Sequence, residues 1–414
     1  MTLATTRDID HGVFGGVCAG FAADRQLSLR VVRALTVALS ILTGGLVAFA
    51  YVVLWLLLPA RDDRSIGSPI ATAATEAPAP AGVASRPPST IASATPSQLY
   101  GPVTDDLPLI DERLLSLAND EMPWLREMMQ SMLKGGGKKM RPAMALLAGR
   151  YGTYNLKVLV PLAASVELLH TATLVHDDVI DEAAERRGNP TAAALFGNSA
   201  SVMLGDYMFA HAAELIASTD NTRVVRHFAR TLGRMAAGEL QQDITAFEYS
   251  EDVERYMDRI GGKTASLFAT AAEGGAIVTG APEEHIDALR HYGESLGMAF
   301  QIVDDLLDFT GDAEEMGKPI GSDLREGTIT LPAIFYMQKH PGDNAVKRAF
   351  DDVDREQNFA QAIEEIRSSG ALDEAAQAAH RFGDRAREAL SALPPGEERE
   401  KLDGLIDYVM ERRS

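Results

Sequence analysis

The chain of 414 residues holds one cysteine, Cys18, so it can close no intrachain disulfide and build no thiolate metal site. A lone thiol fits a reducing, cytoplasmic compartment. Basic residues are outnumbered: 39 Lys and Arg stand against 59 Asp and Glu, a formal net charge of −20. Residues 1–104 carry seven basic and six acidic side chains, so the acidic excess lies beyond residue 104. A nucleic-acid groove needs a basic face, and no nucleic-acid partner is expected. Anionic small molecules remain open, because local clusters override the global sign. Alternating β-branched runs are few, and no short-period repeat is present.

Charge is wholly missing from residues 34–58, ALTVALSILTGGLVAFAYVVLWLLL. That run exceeds the roughly 18–20 residues that cross a bilayer core as a helix. It starts late, is too long and lacks a following small-residue cleavage pattern, so it is no secretory signal. Residues 65–104 are rich in Pro, Ala, Ser and Thr, with too little apolar mass to fold, and read as an extended tether. From residue 105 onward, helical periodicity with Gly and Pro at the breaks predicts an all-α domain. Three segments follow: a membrane-associated module over 1–64, a tether over 65–104 and a helical domain over 105–414.

One acidic pattern occurs twice in that domain. HDDVIDEAAERRGNP at 176–190 carries Asp177, Asp178 and Asp181, and QIVDDLLD carries Asp304, Asp305 and Asp308 with Gln301 three residues before. Residues four apart share a helix face. Carboxylates crowded this closely raise each other's cost of ionisation, so a positive partner is expected among them. Two such helices across a cavity could hold Mg²⁺, which takes one or two carboxylates, waters and substrate phosphate oxygens. Solvated acidic helix ends are the plain alternative; two copies inside apolar runs weigh against it. Cations that could reach a diphosphate are Lys138 and Arg141 in GGGKKMRP, Arg186 and Arg187 after the first motif, Lys263 in IGGKTASL and Lys318 in GKPIGSDL. Taken singly, each is more often a solvated surface residue.

The ordered set GGKKMRP, ELLHTATLVHDDVIDEAAERRGNPT, GDYMFA, GELQQ, GGKTASLF, MAFQIVDDLLDFTGD and GKPIGSDLREGTITLP resembles the trans-type isoprenyl diphosphate synthases, the polyprenyl synthetase family. The resemblance covers residues 105–414. It implies an orthogonal all-α isoprenoid-synthase fold, a homodimer, and head-to-tail condensation of an allylic diphosphate with isopentenyl diphosphate. It also implies that Asp177, Asp178, Asp181, Asp304, Asp305 and Asp308 coordinate Mg²⁺, three ions with substrate bound. Arg186, Lys263, Gln301 and Lys318 would contact the allylic diphosphate. Lys138, Arg141, His170 and Arg187 would hold isopentenyl diphosphate. Lys139 stands where the family commonly has Arg, so bidentate geometry is lost there and it is left out of the contacts. A terpene cyclase and a catalytically silent scaffold remain the competing readings.

If the growing tail runs back along the helix of the first motif, Thr173, Ala172 and Leu169 line its route, one to two turns from Asp177 at ~1.5 Å per residue. Small side chains there let the tail pass, which in family terms implies a medium- or long-chain product. GGVCAGFA, LSLRVVRAL and a Gly-broken apolar run ending in LWLLLP resemble the phage-shock protein C-like (PspC) domain over residues 7–60. The expectation is membrane association through residues 31–58, either as a re-entrant hairpin broken at Gly44–Gly45 with both ends cytoplasmic or as a span with the Arg-rich end outside, the enzyme lying on the cytoplasmic face in both.

Overall fold

The computed structural model describes residues 95–117, 123–133, 138–186, 188–311, 319–351 and 354–412. The membrane-associated module, the tether through residue 94, Arg187 and Lys318 lie outside them. Helix α1 (Pro96–Tyr100) runs through a 3₁₀ turn (Gly101–Asp106) into α2 (Leu107–Leu117), followed by α3 (Pro123–Leu133), α4 (Met140–Gly149) and α5 (Leu156–Ile180). A two-residue hairpin, β1 (Glu185–Arg186) and β2 (Asn189–Pro190), leads to α6 (Ala192–Phe196), α7 (Asn198–Ala217), α8 (Thr222–Ile244) and α9 (Val253–Ile260). A π-helical turn, Gly261–Ala265, joins α9 to α10 (Ser266–Val278), and α11 (Glu283–Thr310) follows. The remainder is α12 (Ser322–Arg325), α13 (Leu331–Lys339), α14 (Ala345–Phe350), α15 (Arg355–Ser368), α16 (Ala371–Leu390) and α17 (Glu397–Glu411).

The expected all-α domain is present, but it begins before residue 105. Leu99, Tyr100 and Val103 are buried in the same apolar cluster as α4 and α5. The Tyr100 hydroxyl donates to the carbonyl of Lys138, which ties the start of the domain to the basic segment. Few apolar residues occur between 95 and 104, yet those few are the ones inserted.

Helix α5 starts on a side-chain cap, Asn155 Oδ1 accepting from Lys157 N at 3.1 Å. Leu159, Leu162, Val166 and Leu169 on it are fully buried. By length and composition α5 could cross a membrane. Its packing against α4, α7 and α10 accounts for that apolarity instead. Its polar C-terminal end, with the first aspartate motif, therefore projects from a rigid core helix.

Helices α8, α10 and α11 bring the second half of the site together, and two glycines set how closely. A Cβ on Gly238 of α8 would lie 2.9 Å from Lys263 N, and one on Gly297 of α11 would lie 2.6 Å from Ala265 Cα. Neither position has room for a side chain. The π-helical turn is thus gripped between α8 and α11.

Candidate active site

The first motif occupies the last turn of α5 and its cap, where the Asp181 amide donates to the Asp177 carbonyl at 2.8 Å. Asp178 is turned inward, 3 % exposed, and its Oδ1 accepts from Arg186 Nε at 2.6 Å. Arg186 is delivered by the hairpin, whose turn is closed by Gly188 at φ 74. Asp177 and Asp181 meet a different cation. Lys263 Nζ lies 2.7 Å from Glu239 Oε2 and donates to Gln242 Oε1 at 3.3 Å, both on α8. Loss of hydration pushes the Asp177 carboxyl up to about 7; the Lys263 ammonium pulls it back, and Glu239 and Asp181 add to the rise. Asp181 is raised for the same leading reason, with Lys263 again opposing.

The second motif lies on the last turns of α11. The Asp304 side chain is 55 % exposed and is met by Arg412 Nη2 at 2.7 Å. Asp305 is 3 % exposed. Its Oδ1 accepts from Gln301 Nε2 at 2.8 Å and its Oδ2 from the Tyr256 hydroxyl at 2.6 Å. Burial pushes Asp305 up to about 7, with Asp323 and Asp304 adding to it and the two hydrogen bonds opposing. Asp308, buried, accepts from Ser322 N at 3.2 Å, Ser322 Oγ at 2.8 Å and Asp323 N at 3.3 Å, and so anchors the start of α12.

The π-helical turn connects the two halves. Lys263, paired with Glu239, acts on the first motif through its charge, while its neighbour Thr264 donates from Oγ1 to Gln301 Oε1 at 2.7 Å and so reaches the second through Gln301. Wider winding of this kind is frequent at functional sites. Among the residues expected to hold the second substrate, Arg141 lies 4.3 Å from the Phe268 ring centroid and 5.9 Å from that of Phe300, where Arg412 also stacks, at 3.9 Å. Lys138 is exposed and sits 4.7 Å over the Tyr408 ring of α17. His170 is partly buried on α5, two turns before Asp177. Lys139 forms an ion pair with Asp111. Leu169 and Ala172 are fully buried. The Thr173 hydroxyl donates to the His170 carbonyl at 2.8 Å, so its polar atom is satisfied within its own helix.

Glu239, Gln242, Thr264, Tyr256 and Arg412 were not singled out from the sequence. GELQQ and GGKTASLF did carry the first three, as marks of resemblance without a role. Tyr256 and Arg412 had no motif to announce them.

No group of three or more carboxylate, histidine or cysteine side chains converges as a ready-made metal cage among the described residues. The donors that face outward are hard carboxylate oxygens. That suits a cation such as Mg²⁺, which takes one or two carboxylates and completes its shell with water and phosphate oxygens.

Among the described residues, a helical domain in which two aspartate motifs lie beside lysine and arginine around one helical turn suits the handling of diphosphate esters. The family profile for polyprenyl synthetase matches residues 122–366, and that for the PspC domain matches residues 4–61. Heptaprenyl diphosphate synthase component 2 of Geobacillus stearothermophilus is 38 % identical over 317 residues, 76 % of this chain and 98 % of that protein. The crystal structure of a decaprenyl diphosphate synthase from Rhodobacter capsulatus is 38 % identical with a TM-score of 0.72, covering 77 % of this chain and all of that one. A polyprenyl synthase from Caulobacter crescentus, crystallised with calcium and isoprenyl diphosphate, is 35 % identical with a TM-score of 0.72, covering 78 % of this chain and 99 % of that one. The chain belongs to the polyprenyl synthetase family.

Proposed function

We propose that this chain is an all-trans polyprenyl diphosphate synthase that condenses isopentenyl diphosphate head-to-tail onto an allylic diphosphate. The observation that carries the reading is the shared turn: of two consecutive residues, Lys263, paired with Glu239, puts its charge beside Asp177 and Asp181, and Thr264 donates to Gln301, which holds Asp305. Asp177, Asp181 and Asp304 would hold Mg²⁺, since they are the members of the motifs not buried, while Asp178, Asp305 and Asp308 orient them. Bound Mg²⁺ supplies stabilisation of the negative charge that develops on a departing diphosphate. Lys263 and Arg186 add fixed positive charge beside the first motif and need no reorganisation as the C–O bond breaks. Arg141 and Lys138, with His170, hold the second diphosphate so that its double bond lies against the allylic carbon. The released diphosphate takes the proton that closes each round. The calcium and isoprenyl diphosphate bound by the Caulobacter protein support a divalent cation here too.

The product is read as medium- to long-chain, supported by the small Ala172 and Thr173 behind Asp177 and by the heptaprenyl and decaprenyl synthases among the relatives. A homodimer is supported by large apolar side chains exposed on α7 and α8, Met203 at 67 %, Leu240 at 60 % and Ile244 at 77 %. The N-terminal module is read as a tether to the cytoplasmic face of a membrane, where a polyprenyl tail prefers lipid by about 0.8 kcal/mol per buried CH₂. Incubation with Mg²⁺, an allylic primer and labelled isopentenyl diphosphate, followed by chromatography, tests the whole reading. Linear diphosphates of increasing length are expected. Cyclic hydrocarbon would assign a cyclase instead, and a folded chain without turnover a scaffold. Deleting residues 1–94 should leave turnover intact and release the chain from membranes.

A further inference from the structure

Asp305 is held at both oxygens by groups from different elements. Gln301, one turn earlier on α11, donates to Oδ1 at 2.8 Å, and Tyr256, from α9, donates to Oδ2 at 2.6 Å. Tyr256 is 3 % exposed. Its ring lies 5.6 Å from the guanidinium of Arg259, which donates to the Ile329 carbonyl at 2.8 Å. Gln301 in turn accepts from Thr264 in the π-helical turn. A single buried carboxylate therefore joins α9, the Lys263 turn and the second motif. Asp304 and Asp323 both act on it as neighbouring anions. Without the phenol, one neutral donor would have to hold Asp305 against two like charges. A tyrosine needed only for packing could direct its hydroxyl to any acceptor; this one is spent on the residue adjacent to Asp304.

We propose that Tyr256 is a positioning residue: by its hydrogen bond to Asp305 it sets the orientation of the second motif and of Gln301. It thereby sets how tightly that motif takes a divalent cation with a diphosphate. The inference rests on the second motif being the cation site, and the test separates the two claims.

Full-length wild type, Tyr256→Phe, Asp305→Asn and the double variant are compared in three measurements. These are the Mg²⁺ concentration for half-maximal turnover, the KM for isopentenyl diphosphate, and the rise in melting temperature on adding Mg²⁺ with inorganic diphosphate. Loss of an outer partner of a metal site typically costs 10- to 100-fold, so Tyr256→Phe should raise the Mg²⁺ requirement by roughly 10-fold or more. It should also shrink the melting increment and leave the KM for isopentenyl diphosphate unchanged. In the Asp305→Asn background, Tyr256→Phe should add nothing, because the two act as one unit. If Tyr256→Phe behaves as wild type while Asp305→Asn is impaired, the inference is wrong and the cation site stands. If Asp305→Asn itself leaves the Mg²⁺ dependence unchanged, both claims fall. Equal losses in the two backgrounds would make Tyr256 a packing residue only. Each melting increment is read against that variant's own unliganded baseline, so a less stable variant still decides the question.

Discussion

Arg412, from the end of the chain, donates through Nη2 both to Asp304 Oδ1 at 2.7 Å and to the Phe300 carbonyl at 3.0 Å. A cation thus occupies the most exposed carboxylate of the second motif. On the proposed reading, a metal held by Asp304 would compete with Arg412 for it. Ion pairs with an exposed partner contribute about 0.2–1 kcal/mol, so Arg412→Ala should tighten Mn²⁺ binding to the substrate-free protein by roughly two- to five-fold. Electron paramagnetic resonance titration of free Mn²⁺ measures this. Weaker or unchanged binding would show that the pair does not guard the site.

Removal of charge from the motifs should be felt in turnover more than in binding of the second substrate. Asp177→Asn and Asp304→Asn keep the shape and lose the anion. By analogy with the loss of other electrostatic stabilisers, each should lower kcat by roughly 10²–10³. The KM for isopentenyl diphosphate should shift little, since Arg141 and Lys138 stay in place. Steady-state kinetics at saturating Mg²⁺ decide; a wild-type rate for one variant would remove that aspartate from the chemistry.

Outside the site, Glu273 is buried on α10 with His227 Nδ1 3.2 Å from its Oε2. Burial pushes its carboxyl up to about 7 from 4.5, with Arg290 and Arg223 pulling it back and Asp287 and Glu283 adding to the rise. Between those two values the folded chain binds the proton more tightly than the unfolded chain. Its contribution to stability is whole below about pH 4.5 and is lost as pH rises to about 7, at up to about 1.4 kcal/mol per pH unit. Glu273→Gln should flatten this part of the profile. Urea unfolding at pH 5 and pH 7.5 should show a smaller drop for the variant than for wild type; identical drops would refute the assignment.

Chain length is best probed at Thr173, which is partly buried, rather than at the fully enclosed Ala172. Thr173→Phe should shorten the longest product, read by mass spectrometry. Ala172→Phe should shorten it too, while costing roughly 1–3 kcal/mol of stability through overpacking. A product distribution unchanged in both would remove these positions from the tail's route.

Much of this site was legible in order along the chain. Asp177 and Asp181 had to share a face because they stand four apart on an apolar helix, and Lys263 was marked by its glycine pair. What could not be read was which acids face outward. Asp178 is turned in by Arg186 eight residues on, and Asp308 by the start of a helix 14 residues on. Those contacts arise only once the loops fold back. Tyr256 meets Asp305 across 49 residues and Arg412 meets Asp304 across 108, separations at which no helical period speaks. The hairpin over residues 185–190 was missed for a related reason: two paired residues are too few to alternate. The domain's early start at Pro96 went unseen because its composition is that of the tether.

The widened turn at Gly261–Ala265 sends adjacent side chains to separate acidic helices. Both halves of the machinery are consequently bolted to one peptide unit. A shift of that unit by a fraction of an ångström would retune leaving-group affinity on one side and motif geometry on the other together. Neither could be adjusted by moving the backbone there without disturbing its twin.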